Sequence, residues 1–287
     1  MKNIIILLRP HQWIKNFFIF APLFFTFNFQ SEVITTVVIG FALFSLAASS
    51  IYILNDYHDI TEDQAHPTKK NRPLASGVVS KSTAIGLMSV LFIISLGGAI
   101  ALSQSFAMIL AIYITMNIAY TFGLKHISIL DISIIAIGFV LRIYAGAAVI
   151  DNTPSMWIVL VTFVLALFLA LAKRRDDCLL ALDGKKTRKN IDGYNLEMVN
   201  AAMTLMAGVT VVSYIMYTVS PEVIERLGTH NLYITALFVI IGILRYMQLT
   251  FVEQNSGSPT KLVLKDRFLQ LVLIGWITSF YIIIKGF

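Results

Sequence analysis

Three aspartates early in the chain pose a chemical problem. The stretch Asn55-Asp56-Tyr57-His58-Asp59-Ile60-Thr61-Glu62-Asp63 directly continues an apolar run. On an unbroken helix, positions 56, 59 and 63 are spaced i, i+3 and i+7 and project from one face. Carboxylates crowded there repel one another unless a cation sits between them. Hard oxygen donors of this kind suit Mg2+, which keeps waters, takes few carboxylates and completes its shell with substrate phosphate. The pattern therefore predicts a diphosphate site bridged by Mg2+ on Asp56, Asp59 and Asp63, against the plainer alternative of a solvated acidic helix end. Lys69, Lys70 and Arg72 follow in the same loop, which ends in Arg72-Pro73-Leu74-Ala75-Ser76-Gly77. They shift the balance toward phosphate, because ammonium and guanidinium groups hold phosphate oxygens.

A second block, Lys173-Arg174-Arg175-Asp176-Asp177, closes another apolar run. Its two carboxylates and three cations could close over the same substrate; a topogenic basic cluster is the alternative, and it weighs equally for Lys185 to Lys189. Lys125, in Tyr120-Thr121-Phe122-Gly123-Leu124-Lys125, stands at the end of a further run. Asp131 and Arg142 fall inside an apolar stretch, where a charge costs about 2.5–3.5 kcal/mol on insertion scales and so faces a cavity or a partner. At about 1.5 Å per residue they are roughly 16 Å apart along a helix and cannot pair. Arg142 thus requires an anion from elsewhere, either a neighbouring helix's carboxylate or a substrate phosphate. His11, His58, His66, His126 and His230 show no metal-ligand spacing, and chain order supports no Ser-His-Asp arrangement, so no nucleophile is assigned.

The elements that must position these groups are membrane helices. Of 287 residues, 57% are hydrophobic and 13% charged, about half the charged share of a soluble domain. A helix of roughly 20 apolar residues spans a bilayer core because its backbone polar groups are paired internally. Apolar runs between breakers predict nine spans, near 13–30, 33–54, 82–102, 105–122, 128–149, 154–172, 199–219, 231–250 and 268–285. With the N-terminus inside, all but Arg142, Arg226 and Lys285 of the 22 Lys and Arg fall on inner segments. That bias predicts a multi-pass cell (inner) membrane protein with the N-terminus and the long loops 55–81 and 173–198 in the cytoplasm. It also accounts for the net charge of +6 without nucleic acid. Residues 1–287 read as one domain. Met1 to Trp13 lacks a signal peptide's long apolar core and cleavage pattern and reads as an interfacial helix. Trp13 and Trp157 suit interfacial anchoring. Cys178 has no disulfide partner and reads as neutral. Association into a homo-oligomer stays open.

At these residues the chain resembles the UbiA-type membrane prenyltransferase superfamily. Its first motif, N-D-x-x-D-x-x-x-D, is matched by Asn55, Asp56, Asp59 and Asp63, within NDYHDITEDQAHPTKKNRPLASG at 55–77. Supporting stretches are RPHQWIKN (9–16), YTFGLKH (120–126), GFVLRIYAGA (138–147) and AKRRDD (172–177). The match is strongest to the branch that moves phosphoribose, although that branch carries Glu where this chain has Asp177. Quinone-type members carry a fuller second aspartate motif and a Tyr-x-x-x-Lys, whereas Tyr120 and Lys125 here are five residues apart.

The resemblance implies an all-α membrane bundle of about nine helices. It implies transfer of 5-phosphoribose from phosphoribosyl diphosphate to a polyprenyl phosphate, releasing pyrophosphate. Mg2+ would be held by Asp56, Asp59 and Asp63 with Asp177 contributing. The substrates would be held by Lys15, Asn16, Asn55, Lys69, Arg72, Tyr120, Lys125, Arg142, Lys173 and Arg174. The alternative within the superfamily moves a prenyl chain from prenyl diphosphate to an aromatic acceptor. A transporter or lipid-binding scaffold would instead line a through-path with intramembrane charges, and the unusual charge here gathers at one surface.

Overall fold

The computed structural model describes residues 2–27, 29–66, 69–182, 191–254 and 259–286, without the side chains of 260 and 261. Lys185, Lys186, Arg188 and Lys189 therefore lie outside the described residues, as does most of the loop expected after residue 182. Among the described residues every regular element is helical, and eight helices are long and apolar enough to cross a membrane. The chain divides into two compact units, Met1–Pro154 and Ser155–Phe287.

The first unit opens with α1 (Lys2–Leu8), whose Ile5 and Ile6 are exposed as an interfacial helix requires. A 3-10 helix, Pro10–Phe20, leads into α2 (Ala21–Thr26). Then come α3 (Ser31–His58), the short α4 (Ile60–Gln64), α5 (Lys81–Leu102), α6 (Gln104–Phe122) and α7 (Leu130–Val149). Seven of the nine expected spans are continuous α-helices; the eighth opens with a 3-10 helix, Asn231–Thr235, before its α-helix at Ala236–Phe251, and the first, 13–30, is built differently. Eleven residues is long for a 3-10 helix, which rarely exceeds four, yet its rise of about 2.0 Å per residue carries Pro10–Phe20 about 22 Å. The six residues of α2 add about 9 Å. Together they reach about the 30 Å of a hydrocarbon core.

Lipid offers no hydrophobic drive to join helices, so shape and polar contacts decide their packing. In this unit α3 and α7 are the most buried spans. Phe44, Ala47, Ala48 and Ile51 of α3 meet Phe106, Leu110 and Tyr113 of α6 and Ala145 of α7 in one core. A second cluster, Leu7, Ile53, Leu74, Val79, Ala84 and Leu91, fastens α1 and the loop after Arg72 to α3 and α5.

The second unit contains α8 (Met156–Leu182), α9 (Leu196–Val219), α10 (Pro221–Leu227), α11 (Ala236–Phe251), α12 (Pro259–Lys265) and α13 (Arg267–Lys285). Its apolar packing is pinned by a polar relay: the Trp276 indole donates to the Tyr214 hydroxyl at 2.6 Å, which lies 2.8 Å from that of Thr235. Residues 173–177 do not open a loop. They continue α8, because Lys, Arg, Leu and Ala are good helix formers and the Arg174–Asp177 pair closes at i, i+3. Cys178 is buried there.

Candidate active site

The aspartate motif straddles a break in the helix. α3 ends at His58, and Asp59, at φ −93° and ψ 11°, separates it from α4. The i, i+3, i+7 face expected of an unbroken helix is therefore lost, and the three carboxylates part company. Asp56 and Asp63, each 2% exposed, share one guanidinium nitrogen of Arg72, at 3.1 and 2.6 Å. Arg9 pairs with Asp56 as well, and Lys69 lies 4.0 Å from Asp63. Asp59 turns instead to Lys125 at 2.5 Å and His58 at 3.0 Å. Burial alone would raise its carboxyl, but the hydrogen bonds and charges of Lys125 and His58 outweigh that and hold it below the ordinary carboxylate value. His66 is pushed down by burial and by the nearby Lys69 and Arg72, a sign of the rim's positive field.

Arg9 was not singled out by spacing, since it lies 47 residues from Asp56. The one local signal is its backbone. At φ 52° it is a non-glycine residue in the left-handed region, immediately before Pro10, and that turn aims it back over Tyr52 toward Asp56.

Lys15 and Asn16 sit on the 3-10 helix. The Lys15 ammonium makes no hydrogen bond or ion pair with a described residue, although Arg9 and Arg142 are near enough to act on it electrostatically. Asn16 is buried, donating to Ser45 and accepting from Arg142. Arg142 meets no carboxylate among the described residues. Its Nε donates to Asn16 Oδ1 at 2.8 Å, and its terminal nitrogens donate to the Gly138 carbonyl at 2.7 Å and the Tyr113 hydroxyl at 3.2 Å. Its guanidinium also lies 5.0–5.4 Å from the ring centres of Tyr113, Phe44 and Phe139. Charged hydrogen bonds of about 1.5–3 kcal/mol each and desolvated cation–π contacts of about 2 offset an insertion cost of about 2.5–3.5. No anion is needed. The Asn55 side chain and Tyr120 hydroxyl bond no described residue, and Asn55 serves through its carbonyl, which accepts from the Asp59 N–H.

Comparison with known proteins places this geometry. The model of the UbiA prenyltransferase family matches residues 17–272, through both units. The chain belongs to the UbiA prenyltransferase family. Family relatives include the decaprenyl-phosphate phosphoribosyltransferase of Mycolicibacterium smegmatis, 36% identical over 96% of this chain and 91% of the relative. The enzyme of the same name from Mycobacterium tuberculosis H37Rv is 33% identical over 95% of this chain and 91% of that one. Among solved structures, a UbiA homolog from Archaeoglobus fulgidus bound to GPP and Mg2+ has a TM-score of 0.72 with 99% of both chains covered. At 19% identity that likeness establishes the fold. The protein is a multi-pass membrane transferase of the UbiA family.

For a member of this family the fit to a divalent cation can be tested on the donors themselves. Among the described residues no group of three or more His, Cys, Asp or Glu is placed to hold a metal. Of the expected carboxylates, Asp56 and Asp63 are brought together on Arg72, Asp59 is held apart by Lys125, and Asp177 belongs to the second unit. Two buried carboxylates already bridged by one cationic nitrogen suit Mg2+, which takes one or two protein carboxylates and fills its shell with water and phosphate. On the second unit, Arg174 is 1% exposed and donates to Asp177 at 2.6 Å, while Lys173 is exposed. Arg175, counted among the cations free to meet substrate, is turned into the unit instead. It donates to Asn200 at 3.0 Å and to the Thr250 carbonyl at 2.8 Å, and it lies over Phe251.

Proposed function

We propose that this protein transfers 5-phosphoribose from phosphoribosyl diphosphate to the phosphate of a polyprenyl lipid, at the cytoplasmic face of the cell membrane. The carrying observation is the near full-length similarity to decaprenyl-phosphate phosphoribosyltransferases. The site agrees with it, presenting two buried carboxylates amid cations. In the reaction the ribose C1–O bond to diphosphate breaks and an acceptor phosphate oxygen bonds to C1, so pyrophosphate leaves. A phosphate monoester has a second pKa of about 6 and is largely dianionic at neutral pH. It needs no general base.

Asp56 and Asp63 would hold Mg2+, which when bound neutralises charge developing on the leaving diphosphate. Arg72, Arg9 and Lys69 orient and neutralise phosphate oxygens around that pair. Asp59 fixes Lys125 as a further cation. Lys15, which pairs with no anion among the described residues, is a phosphate contact, and Lys173, Arg174 and Asp177 carry the same chemistry on the second unit. Purified protein incubated with Mg2+, phosphoribosyl diphosphate and polyprenyl phosphates of several lengths should yield a phosphoribosylated lipid by mass spectrometry. No such product at any length, with prenylation of an aromatic acid from prenyl diphosphate, would overturn the reading.

A further inference from the structure

The 3-10 helix is matched to its neighbour by pitch. Trp13 donates to Ser49 at 2.9 Å and Asn16 donates to Ser45 at 2.9 Å, so three residues on one strand of contact answer four on the other. A 3-10 helix eclipses i and i+3 and advances about 6 Å over those residues. An α-helix advances about 6 Å over four. Were residues 10–20 α-helical, positions 13 and 16 would advance only about 4.5 Å and would be turned about 60° from each other rather than eclipsed. Two serines one turn apart on α3 thus select the tighter coil.

α7 completes the grip from another side. Arg142 donates to the oxygen of the same Asn16 amide whose nitrogen is spent on Ser45, which fixes that amide at both ends. One turn on, Gly146 lets the backbone of Ile19 approach so closely that a Cβ there would lie 2.0 Å from the Ile19 carbonyl oxygen. Lys15 falls between the tethered Trp13 and Asn16, a third of a turn from Asn16 in a 3-10 helix, off the line that meets the serines.

We infer that Arg142 is a positioning residue: with Ser45, Ser49 and Gly146 it holds residues 10–20 in 3-10 register and so sets where the Lys15 ammonium points. Its value to phosphate binding rests on the function proposed above; the tether itself does not. The test uses the full chain in detergent with Trp157→Phe and Trp276→Phe, which leaves Trp13 as the sole tryptophan and a reporter of the register. Arg142→Met should shift Trp13 emission to the red, increase its quenching by iodide, and lower turnover by about a hundredfold, the scale of a 1 Å misplacement. Lys15→Met should lower turnover with the Trp13 signature unchanged. Gly146→Ala touches no charge or substrate and should reproduce the red shift, which keeps the question open to experiment if Arg142→Met fails to fold. A parent-like Trp13 signature in folded Arg142→Met or in Gly146→Ala overturns the inference. Absence of phosphoribosyl transfer in the unsubstituted protein overturns only the functional reading, because Trp13 fluorescence needs no substrate.

Discussion

Asp59 looks like its neighbours in the sequence and behaves differently in the structure. Its carboxylate is committed to Lys125 at 2.5 Å, whereas Asp56 and Asp63 converge on Arg72. Groups that act as a pair are non-additive. Asp59→Asn and Lys125→Met should each raise the KM for phosphoribosyl diphosphate, and the double variant should be no worse than the poorer single. Additive losses would show that Asp59 has a role apart from Lys125. Asp63→Asn should instead raise the Mg2+ concentration needed for half-maximal turnover by at least about tenfold, the equivalent of 1.4 kcal/mol. It should also lower stability modestly, since the half-buried Arg72 exchanges one charged partner for a neutral amide while keeping Asp56; unchanged Mg2+ dependence would remove Asp63 from the metal site. The chemistry of this cluster was legible because acids and bases fall within one short stretch. The division of labour was not, because it depends on the backbone angle at Asp59, and Arg9 was invisible because its contact crosses 47 residues.

Helix ends were the least readable elements. Apolar content located each span, yet it placed the end of the sixth at residue 172, where structure carries α8 on to Leu182. The hydrophobic pattern stops there while helix propensity and an ion pair do not. The same pattern could not distinguish a 3-10 coil from an α-helix, since the deciding contacts are serines and an arginine on other elements. Where caps are local, they support a direct prediction. Asp266 accepts from the Leu269 N–H at 2.8 Å as the N-cap of α13 and pairs with Arg245 at 2.7 Å. The hydrogen bond from Arg245 leads the effects that hold its carboxyl below the ordinary value. A carboxyl depressed in the folded state contributes stability that is complete above its unfolded pKa of about 3.9 and is lost as pH falls through the folded value. Asp266→Ala should therefore cost about 1 kcal/mol near neutrality, as cap removal does, and the gap to the parent in thermal unfolding should narrow as pH drops below 4. A gap independent of pH would mean that neither the cap nor the Arg245 pair depends on the charge.

At the scale of the whole chain the open quantity is parity. Eight long helices return the chain to the side on which it began, and nine leave it on the other. The element that decides is Pro10–Phe20 with α2, which reaches across about 30 Å only because the 3-10 coil is stretched. Were the same 17 residues α-helical, they would reach about 25 Å and fall short. The inference that this segment crosses therefore rests on the register that Ser45, Ser49 and Arg142 impose, so a local templating effect sets the handedness of the topology. Charge agrees, because a crossing there puts Lys2 and Arg9 on the side of Lys69, Arg72 and Lys125, and Arg9 does pair with Asp56 at that end of α3. In a Cys178→Ser background, which removes the single cysteine, exposed Lys2, Ser76 and Lys285 can each be replaced by cysteine. A membrane-impermeant maleimide added to intact cells should label Lys285→Cys, and should reach Lys2→Cys and Ser76→Cys only after the membrane is opened. Labelling of Lys2 and Lys285 from the same side would mean that residues 10–26 do not cross. Labelling of Ser76 in intact cells would place the carboxylate pair on the outer face, away from soluble phosphoribosyl diphosphate.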